Sequence, residues 1–190
     1  MTVDPYLYPG TRVLKNKLGI RDAVELDAVE RMLVTQRMLE GAPSGDFDLS
    51  HLRKIHRHLF QDVYSWAGKL RTLDIAKGDS HFHPRRYIET GMADVHRRLI
   101  SRDYLRRLTR LEFAVTAADI IGDVNLVHPF REGNGRSQVM YLVKLAEFAG
   151  HSLDHGLLRQ RQWIEASRRA YNADYSLMAA EIEHALEGPS

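Results

Sequence analysis

The sequence contains no cysteine among its 190 residues, so disulfide bonds and thiol chemistry are excluded from its function. It also lacks any run of about eighteen apolar residues, and its start has no basic segment followed by an apolar one. Neither sign of charge dominates, because 27 Lys and Arg are balanced by 25 Asp and Glu. We therefore expect a cytoplasmic protein that has no membrane partner and no nucleic-acid partner.

Only six prolines interrupt the chain, and apolar residues recur at intervals of three and four through most of it. This pattern predicts an all-α fold in a single domain of residues 1–190, with its core at about 20–186. Capping residues and breakers place expected helices at about 22–40, 48–68, 84–99, 160–170 and 174–186, and another leads from Thr109 towards His128. The expected apolar face of the first helix consists of Val29, Met32, Leu33 and Leu39.

The segment Lys69–His83 departs from the helical pattern. Leu70, Leu73 and Ile75 are compatible with a strand, and residues 77–80 (Lys-Gly-Asp-Ser) have the composition of a turn. The sequence therefore predicts a short β-hairpin in this segment.

Nine consecutive residues, His128 to Arg136, combine the groups that a phosphate-transfer site needs. Histidine titrates near neutrality, so His128 can act as a base towards a hydroxyl. Gly133 and Gly135 let a backbone approach a phosphate closely, and the apolar run after them predicts a helix whose N-terminus would bind an anion. Glu132 offers a hard oxygen ligand for Mg²⁺, and Arg136 offers a positive charge for a phosphate.

The dipeptide Asn134-Gly135 is also a strong signal for a two-residue turn between β-strands. The flanking segments contradict that interpretation, because apolar residues follow helical spacing both from Leu111 to Val124 and from Met140 to Phe148. We therefore predict a loop that joins two helices.

The run from His128 to Arg136 resembles the motif of the Fic family, HxFx(D/E)GNGRxxR, and matches it through the first arginine. Two further segments are similar to Fic toxins and related bacterial effectors, one within residues 8–16 and one within residues 66–78. The resemblance extends over about residues 5–185. It implies a Fic-type helical bundle in which the hairpin at about 69–83 is a flap over the active site, with residues 128–136 as the motif loop.

Most Fic proteins are adenylyltransferases, so the resemblance implies transfer of AMP from ATP, with Mg²⁺, to a Ser, Thr or Tyr hydroxyl of a target protein. It implies that His128 is the catalytic base, that Glu132 is the metal ligand and that Phe130 anchors the loop in the core. The implied phosphate-binding residues are Gly133, Asn134, Gly135 and Arg136. In the flap, Lys77 and Phe82 are candidates for contact with the nucleotide or the target.

The chain departs from the family pattern at Val139, where the motif has a second arginine. In the family that arginine contacts the γ-phosphate. Losing one charge-assisted contact to a phosphate removes roughly 1.5–3 kcal/mol, which is about ten- to a hundred-fold in a rate or an affinity. Three interpretations stay open: slow AMP transfer, a nucleotide donor other than ATP, and a degenerate Fic scaffold that binds without turnover.

Fic proteins are commonly inhibited by a helix that carries (S/T)xxxE(G/N). In this chain Thr35 to Glu40 and Ser176 to Glu181 are each one residue too long for that spacing. The resemblance then implies a separate small antitoxin, although its glutamate would find no arginine at Val139. As a toxin or effector module, the protein could also be delivered into another cell.

Several histidines cluster near the start of the second predicted helix. His51 and His58 fall two turns apart, and zinc needs three or four protein ligands, so we do not expect His51, His56 and His58 to bind a metal. We expect His56 and His58 on a solvated or half-buried flank of the helix.

Overall fold

The computed structural model of the protein describes residues 4–77 and 80–187. Helices dominate this part of the chain, which confirms the predicted all-α class. They are α1 (Ala23–Leu39), α2 (Leu49–Phe60), α3 (Ile88–Ser101), α4 (Arg110–Val127), α5 (Asn134–Ala149), α6 (Gln160–Ala170) and α7 (Ser176–Ala185). Two short antiparallel pairs of strands accompany them, β1 (Ala76–Lys77) with β2 (Ser80–His81), and β3 (Ser152–Leu153) with β4 (Leu186–Glu187).

The central element of the bundle is α4, which packs against α3, α5, α6 and α7. A wide face of the helix is buried and includes Phe113, Ile120 and Ile121, whereas Leu111 and Val115 on the other side are more than half exposed. A helix with so wide an apolar face has to pack against several others. Its start is fixed by the predicted capping box, in which Glu112 and the N-cap Thr109 each accept the other's backbone N–H. The C-terminal end of α4 therefore leads from the packed core to the loop between α4 and α5.

The segment between α4 and α5 is a loop, as predicted. His128, whose φ of 47° is left-handed, is the C-cap of α4, and Gly133, with a φ of 81°, is the N-cap of α5. α2 packs against α5, and their contact belongs to the main hydrophobic core.

Two of the predicted helix features are wrong. α1 buries Leu26, Glu30 and Val34, whereas Met32 and Leu39, which were expected to face inwards, are 62% and 80% exposed. The buried stripe includes a glutamate, so apolar spacing alone selected the wrong face. α2 ends at Phe60 rather than near residue 68, because turns replace the helix from residue 61 onwards.

The predicted hairpin is present but is shorter than the segment 69–83. Its ladder pairs Ala76 with His81 and Lys77 with Ser80, while residues 69–75 form no strand. Residues 78–79 of the predicted turn lie outside the described part of the chain. The second strand pair, β3 with β4, was not predicted from the sequence.

Across residues 4–77 and 80–187, no helix combines the length and the apolar character that crossing a membrane requires.

Candidate active site

A pocket of about 1110 Å³ opens beside the loop between α4 and α5. Three parts of the chain form most of its walls, and Asp4 and Asn125 lie beside them. The motif loop and the start of α5 contribute one wall, α6 with the residues after it a second, and the flap a third with Leu73, Ile75, Ala76 and Phe82. The motif residues on the wall are His128, Arg131, Glu132, Asn134 and Gly135. The structure thus brings the flap and most of the predicted site residues to one cavity.

His128 is held in a defined orientation at the end of α4. Its backbone N–H donates to the Val124 carbonyl over 3.1 Å, and its Nδ1 lies 3.1 Å from the Asn125 carbonyl oxygen. Since a carbonyl can only accept, Nδ1 carries the hydrogen and Nε2 has the lone pair of a base. The ring is half-buried and stacks on Phe82, with ring centres 3.6 Å apart.

The loop after His128 is closed by the Asn134 side chain. Asn134 Oδ1 accepts from the Phe130 N–H over 3.0 Å, and Asn134 Nδ2 donates to the Phe130 carbonyl over 2.9 Å. Phe130 itself is fully buried. At Gly133 the backbone is left-handed, and an added Cβ would lie 2.3 Å from the Phe60 ring. Asn134 and Gly133 therefore determine the shape of the loop.

The start of α5 lies at the pocket, which Asn134 and Gly135 line. Its N-cap, Gly133, makes no side-chain cap hydrogen bond, and Gly135 has open space where a Cβ would be. An uncapped helix N-terminus with free approach is an anion-binding arrangement. Glu132, exposed at the pocket wall, accepts the Gly133 N–H through Oε1 over 2.9 Å.

Arg136 and Val139 do not line the pocket. Arg136 Nη2 lies 2.5 Å from Glu30 Oε1, and its guanidinium covers the Phe60 ring. The second oxygen of Glu30 accepts from the Tyr64 hydroxyl. Val139 is half-buried and packs against the hydrophobic core. The predicted contact between Arg136 and a phosphate stays a prediction, and the partner of Arg136 within the chain is a glutamate that sequence reasoning missed.

His56 is completely buried, so the prediction of a solvated or half-buried flank is wrong for this residue. Its Nδ1 accepts the Gly68 N–H over 2.8 Å, and its Nε2 donates to the Glu132 carbonyl over 3.0 Å. The ring also stacks on Phe130 at 3.8 Å. Burial lowers the pKa of His56 to about 4, so the ring is neutral at neutral pH. His58 is half-buried, as expected.

Arg71 is a second residue that the sequence did not single out. Its side chain is fully buried, and its Nε donates to the His128 carbonyl over 2.8 Å. Burial lowers the pKa of Arg71. The signal available in the sequence was its position in the 66–71 segment that is similar to Fic proteins, but that segment gave no role for it.

The N-terminal segment closes one side of the site. Asp4 pairs with Arg131 over 2.8 Å, and both side chains are mostly buried. Lys77 lies in β1, but its side chain is outside the described part of the structure. In the described part of the chain, no group of three or more His, Cys, Asp or Glu residues is arranged to hold a metal ion.

The fold and the motif loop together define a Fic protein, and comparison with known proteins establishes the same class. The chain belongs to the Fic/DOC family, whose model matches residues 46–146.

Relatives and solved structures match nearly the whole chain. It is 41% identical over 184 residues to "Probable protein adenylyltransferase y4lH" of Sinorhizobium fredii, with 96% of both proteins covered. It is 39% identical over 186 residues to "Protein adenylyltransferase VbhT" of Bartonella schoenbuchensis, covering 96% of this chain and 39% of that protein. Among solved structures, the BepC protein of Bartonella tribocorum with bound AMPPNP has a TM-score of 0.88 and 28% identity, with 97% of both chains covered.

Proposed function

We propose that the protein is an adenylyltransferase that moves AMP from ATP to a hydroxyl group of a target protein. The observation that carries the proposal is the orientation of His128 at a pocket whose wall includes the uncapped N-terminus of α5. A base and an anion site then face the same cavity. The names of the curated relatives and the AMPPNP bound to the BepC protein support the same reaction.

In the proposed reaction, His128 Nε2 takes the proton of the target hydroxyl. The hydroxyl oxygen forms a bond to the α-phosphorus of ATP, and the bond from that phosphorus to the bridging oxygen of pyrophosphate breaks. The Nδ1 hydrogen bond to Asn125 stabilises the imidazolium that results, because its positive charge then faces a carbonyl oxygen. Backbone N–H groups at Gly135 and its neighbours would bind the α- and β-phosphates.

The residues present fit one Mg²⁺ bound jointly with a nucleotide. Mg²⁺ commonly takes one or two protein carboxylates and completes its shell with phosphates and water, so the lack of a ligand cluster in the described residues is consistent with such a site. Glu132 would hold it, since its carboxylate is exposed at the pocket wall beside the anion site. The ion would neutralise charge on the phosphate oxygens.

The flap would hold the target. β1 and β2 form a two-stranded sheet in the described residues, so a strand edge is available for main-chain pairing with an extended segment. Phe82 stacks on the catalytic base and would place the incoming hydroxyl near it. For Lys77 we retain the proposal of a contact with nucleotide or target.

The site has fewer cations at the phosphates than the family pattern provides. Val139 supplies none, and Arg136 is paired with Glu30, although its side chain is 32% exposed and has further N–H groups for a β-phosphate. These two observations favour slow transfer. They also favour the second candidate function, a degenerate Fic scaffold, and they leave a donor other than ATP as an alternative.

The test incubates the protein with α-labelled ATP, GTP, CTP or UTP, Mg²⁺ and cell lysate, next to His128→Ala and Val139→Arg variants. We expect protein labelling from ATP that falls to a small residual rate in His128→Ala. Val139→Arg should increase it by roughly ten- to a hundred-fold, because the long side chain can extend from the half-buried position towards a phosphate.

Labelling from no nucleotide, or equal labelling by His128→Ala, would contradict the transferase proposal and favour the scaffold. Label from γ-labelled ATP in place of α-labelled ATP would show phosphate transfer. An unchanged rate in Val139→Arg would show that the missing arginine does not limit the reaction.

The setting of this activity is part of the proposal. We propose a toxin or effector module that acts in the cytoplasm of its own or another cell, since several structural neighbours are described as translocated Bartonella effectors. A separate small antitoxin would be its inhibitor. Affinity purification from the native host that recovers no small partner would contradict the antitoxin.

A further inference from the structure

Arg71 binds backbone carbonyls from both sides of the catalytic pocket. Its Nε donates to the His128 carbonyl over 2.8 Å and its Nη1 to the Leu73 carbonyl over 2.8 Å. Its Nη2 donates to the His83 carbonyl, and its backbone N–H to the Pro129 carbonyl over 2.9 Å. One guanidinium thus joins the base of the flap to the residue that carries the reactive imidazole.

The guanidinium of Arg71 is bound mainly by these carbonyls and not by a strong ion pair. Its side chain is fully buried, and its ion-pair partner Asp74 is 3.5 Å away and 67% exposed, too distant and too hydrated for a strong pair. Keeping a guanidinium in such a place requires that its donors be satisfied, and here backbone oxygens satisfy them. The planar fork of donors fits several fixed carbonyls at once, which a lysine ammonium does not.

The orientation of the His128 ring depends on its own backbone and on the segment that carries Phe82, and Arg71 contacts both. The backbone of His128 is left-handed, with a φ of 47°, a conformation that a non-glycine residue adopts when its surroundings enforce it. The ring stacks on Phe82, and the next residue, His83, is held by Arg71 and by its own N–H bond to the Leu126 carbonyl over 3.0 Å. Arg71 therefore fixes the backbone of His128 and also the segment that carries Phe82, the ring stacked on the imidazole.

We propose that Arg71 is a positioning residue for the transfer reaction. It couples the flap to His128 and sets the direction in which Nε2 faces the target hydroxyl. This inference rests on the proposed function. The anion site at the start of α5 is held by different groups, namely the Asn134 amide and the His56 ring. Loss of Arg71 should accordingly slow the chemical step and leave nucleotide binding nearly unchanged.

The test compares Arg71→Lys and Arg71→Met with Arg53→Met. Arg53 is the control, because its Nε also donates to a backbone carbonyl, that of Gly68 over 2.9 Å, although Arg53 is exposed. We expect the Arg71 variants to lower kcat by roughly ten- to a hundred-fold, as a shift of about 1 Å in a catalytic group does. The nucleotide Kd should change less than about three-fold, and Arg53→Met should have kcat near that of the wild type.

A double-mutant cycle separates positioning from general structural damage. In the His128→Ala background, Arg71→Met should cause almost no further loss of rate, since there is no imidazole left to orient. Additive losses, a parallel loss of nucleotide affinity, or folded Arg71 variants with wild-type kcat would overturn the inference.

A readout without turnover covers the case in which Arg71→Met does not fold or the protein proves inactive. The ¹⁵N shifts of the His128 ring report which nitrogen carries the hydrogen, and the wild type should show the Nδ1–H form. Arg71→Lys retains the charge and should shift the ring towards a mixture of tautomers, whereas Arg53→Met should not. An unchanged tautomer in Arg71→Lys overturns the inference. A wild type without His128-dependent transfer refutes the proposed function alone.

Discussion

Arg136→Ala leaves the Glu30 carboxylate buried without its guanidinium partner. Glu30 is 7% exposed, and Arg136 Nη2 lies 2.5 Å from its Oε1. The Tyr64 hydroxyl donates to the other oxygen and remains a donor, because burial and then the neighbouring Glu30 raise the pKa of Tyr64. One hydrogen bond from a phenol cannot replace the charge of the lost arginine.

The size of the effect follows from the exposure of the pair. Breaking a buried ion pair from one side costs about 3–5 kcal/mol, while an exposed pair contributes about 0–1 kcal/mol. The Arg136 side chain is 32% exposed and that of Glu30 is 9% exposed, so solvent screens part of the interaction. We expect Arg136→Ala to lower the free energy of unfolding by about 2–4 kcal/mol.

Urea denaturation of four proteins tests this: the wild type, Arg136→Ala, Glu30→Gln and the double variant. Glutamine keeps the size of Glu30 and removes its charge, so the double variant should be about 1–3 kcal/mol more stable than Arg136→Ala. The control is Arg31→Ala, which breaks the Arg31–Asp27 pair of α1, where the side chains are 71% and 68% exposed. It should cost less than about 0.5 kcal/mol.

Two results would refute the reasoning. One is an Arg136→Ala variant as stable as Arg31→Ala, and the other is a double variant no more stable than Arg136→Ala. If the expected values are found, Arg136→Ala could lose activity simply by unfolding. Its activity therefore has to be measured at a temperature where the variant is folded before a loss is assigned to a phosphate contact.

Two further predictions concern the loop. Because the pKa of His56 is about 4 in the fold and about 6.5 in an unfolded chain, the unfolded state alone binds a proton between these values. The free energy of unfolding should therefore fall by up to about 3 kcal/mol as pH drops from 6.5 to 4. In the same denaturation assay, the stability of His56→Gln should depend less steeply on pH. Equal pH dependence in the two proteins would contradict the assignment to His56. Gly133→Ala should cost about 2–4 kcal/mol, because its Cβ would meet the Phe60 ring and its φ is left-handed. Gly135→Ala, in helical backbone with open space around it, should be neutral or slightly stabilising in a thermal melt, and equal effects of the two substitutions would refute the steric argument.

Much of the fold could be predicted because local signals and the core agree. The Thr109–Glu112 capping box fixed the start of α4, and helical spacing on both sides of the motif excluded a hairpin at Asn134-Gly135. The Fic resemblance added the flap, which no local pattern would have placed over a pocket. These features depend on residues that are close in the sequence.

The rest could not be predicted because it depends on polar contacts between distant residues. Glu30 is buried by an arginine 106 positions away, and periodicity treats it as a surface residue. His56 is buried by contacts with Gly68 and with the Glu132 carbonyl 76 positions further on. Arg71 reaches His128 across 57 positions. In each case a buried charge or imidazole ring is hydrogen-bonded by a distant partner that the sequence does not identify.

The motif residues therefore divide by task. Phe130, Gly133 and Asn134 build the loop, and Asn134 also lines the pocket together with His128, Glu132 and Gly135. The substitution at Val139 and the engagement of Arg136 with Glu30 affect neither group, because the loop is closed by hydrogen bonds and packing that do not involve them. Under the proposed function, phosphate binding would depend mainly on the backbone N–H groups at the start of α5, equivalent to about half a positive charge, together with a metal ion held by Glu132. For this reason we expect kcat/KM of this chain to be more sensitive to Mg²⁺ concentration than that of a Val139→Arg variant. In the variant, a second side-chain cation would share the phosphate charge. Identical Mg²⁺ dependence of kcat/KM in the two proteins would contradict this view.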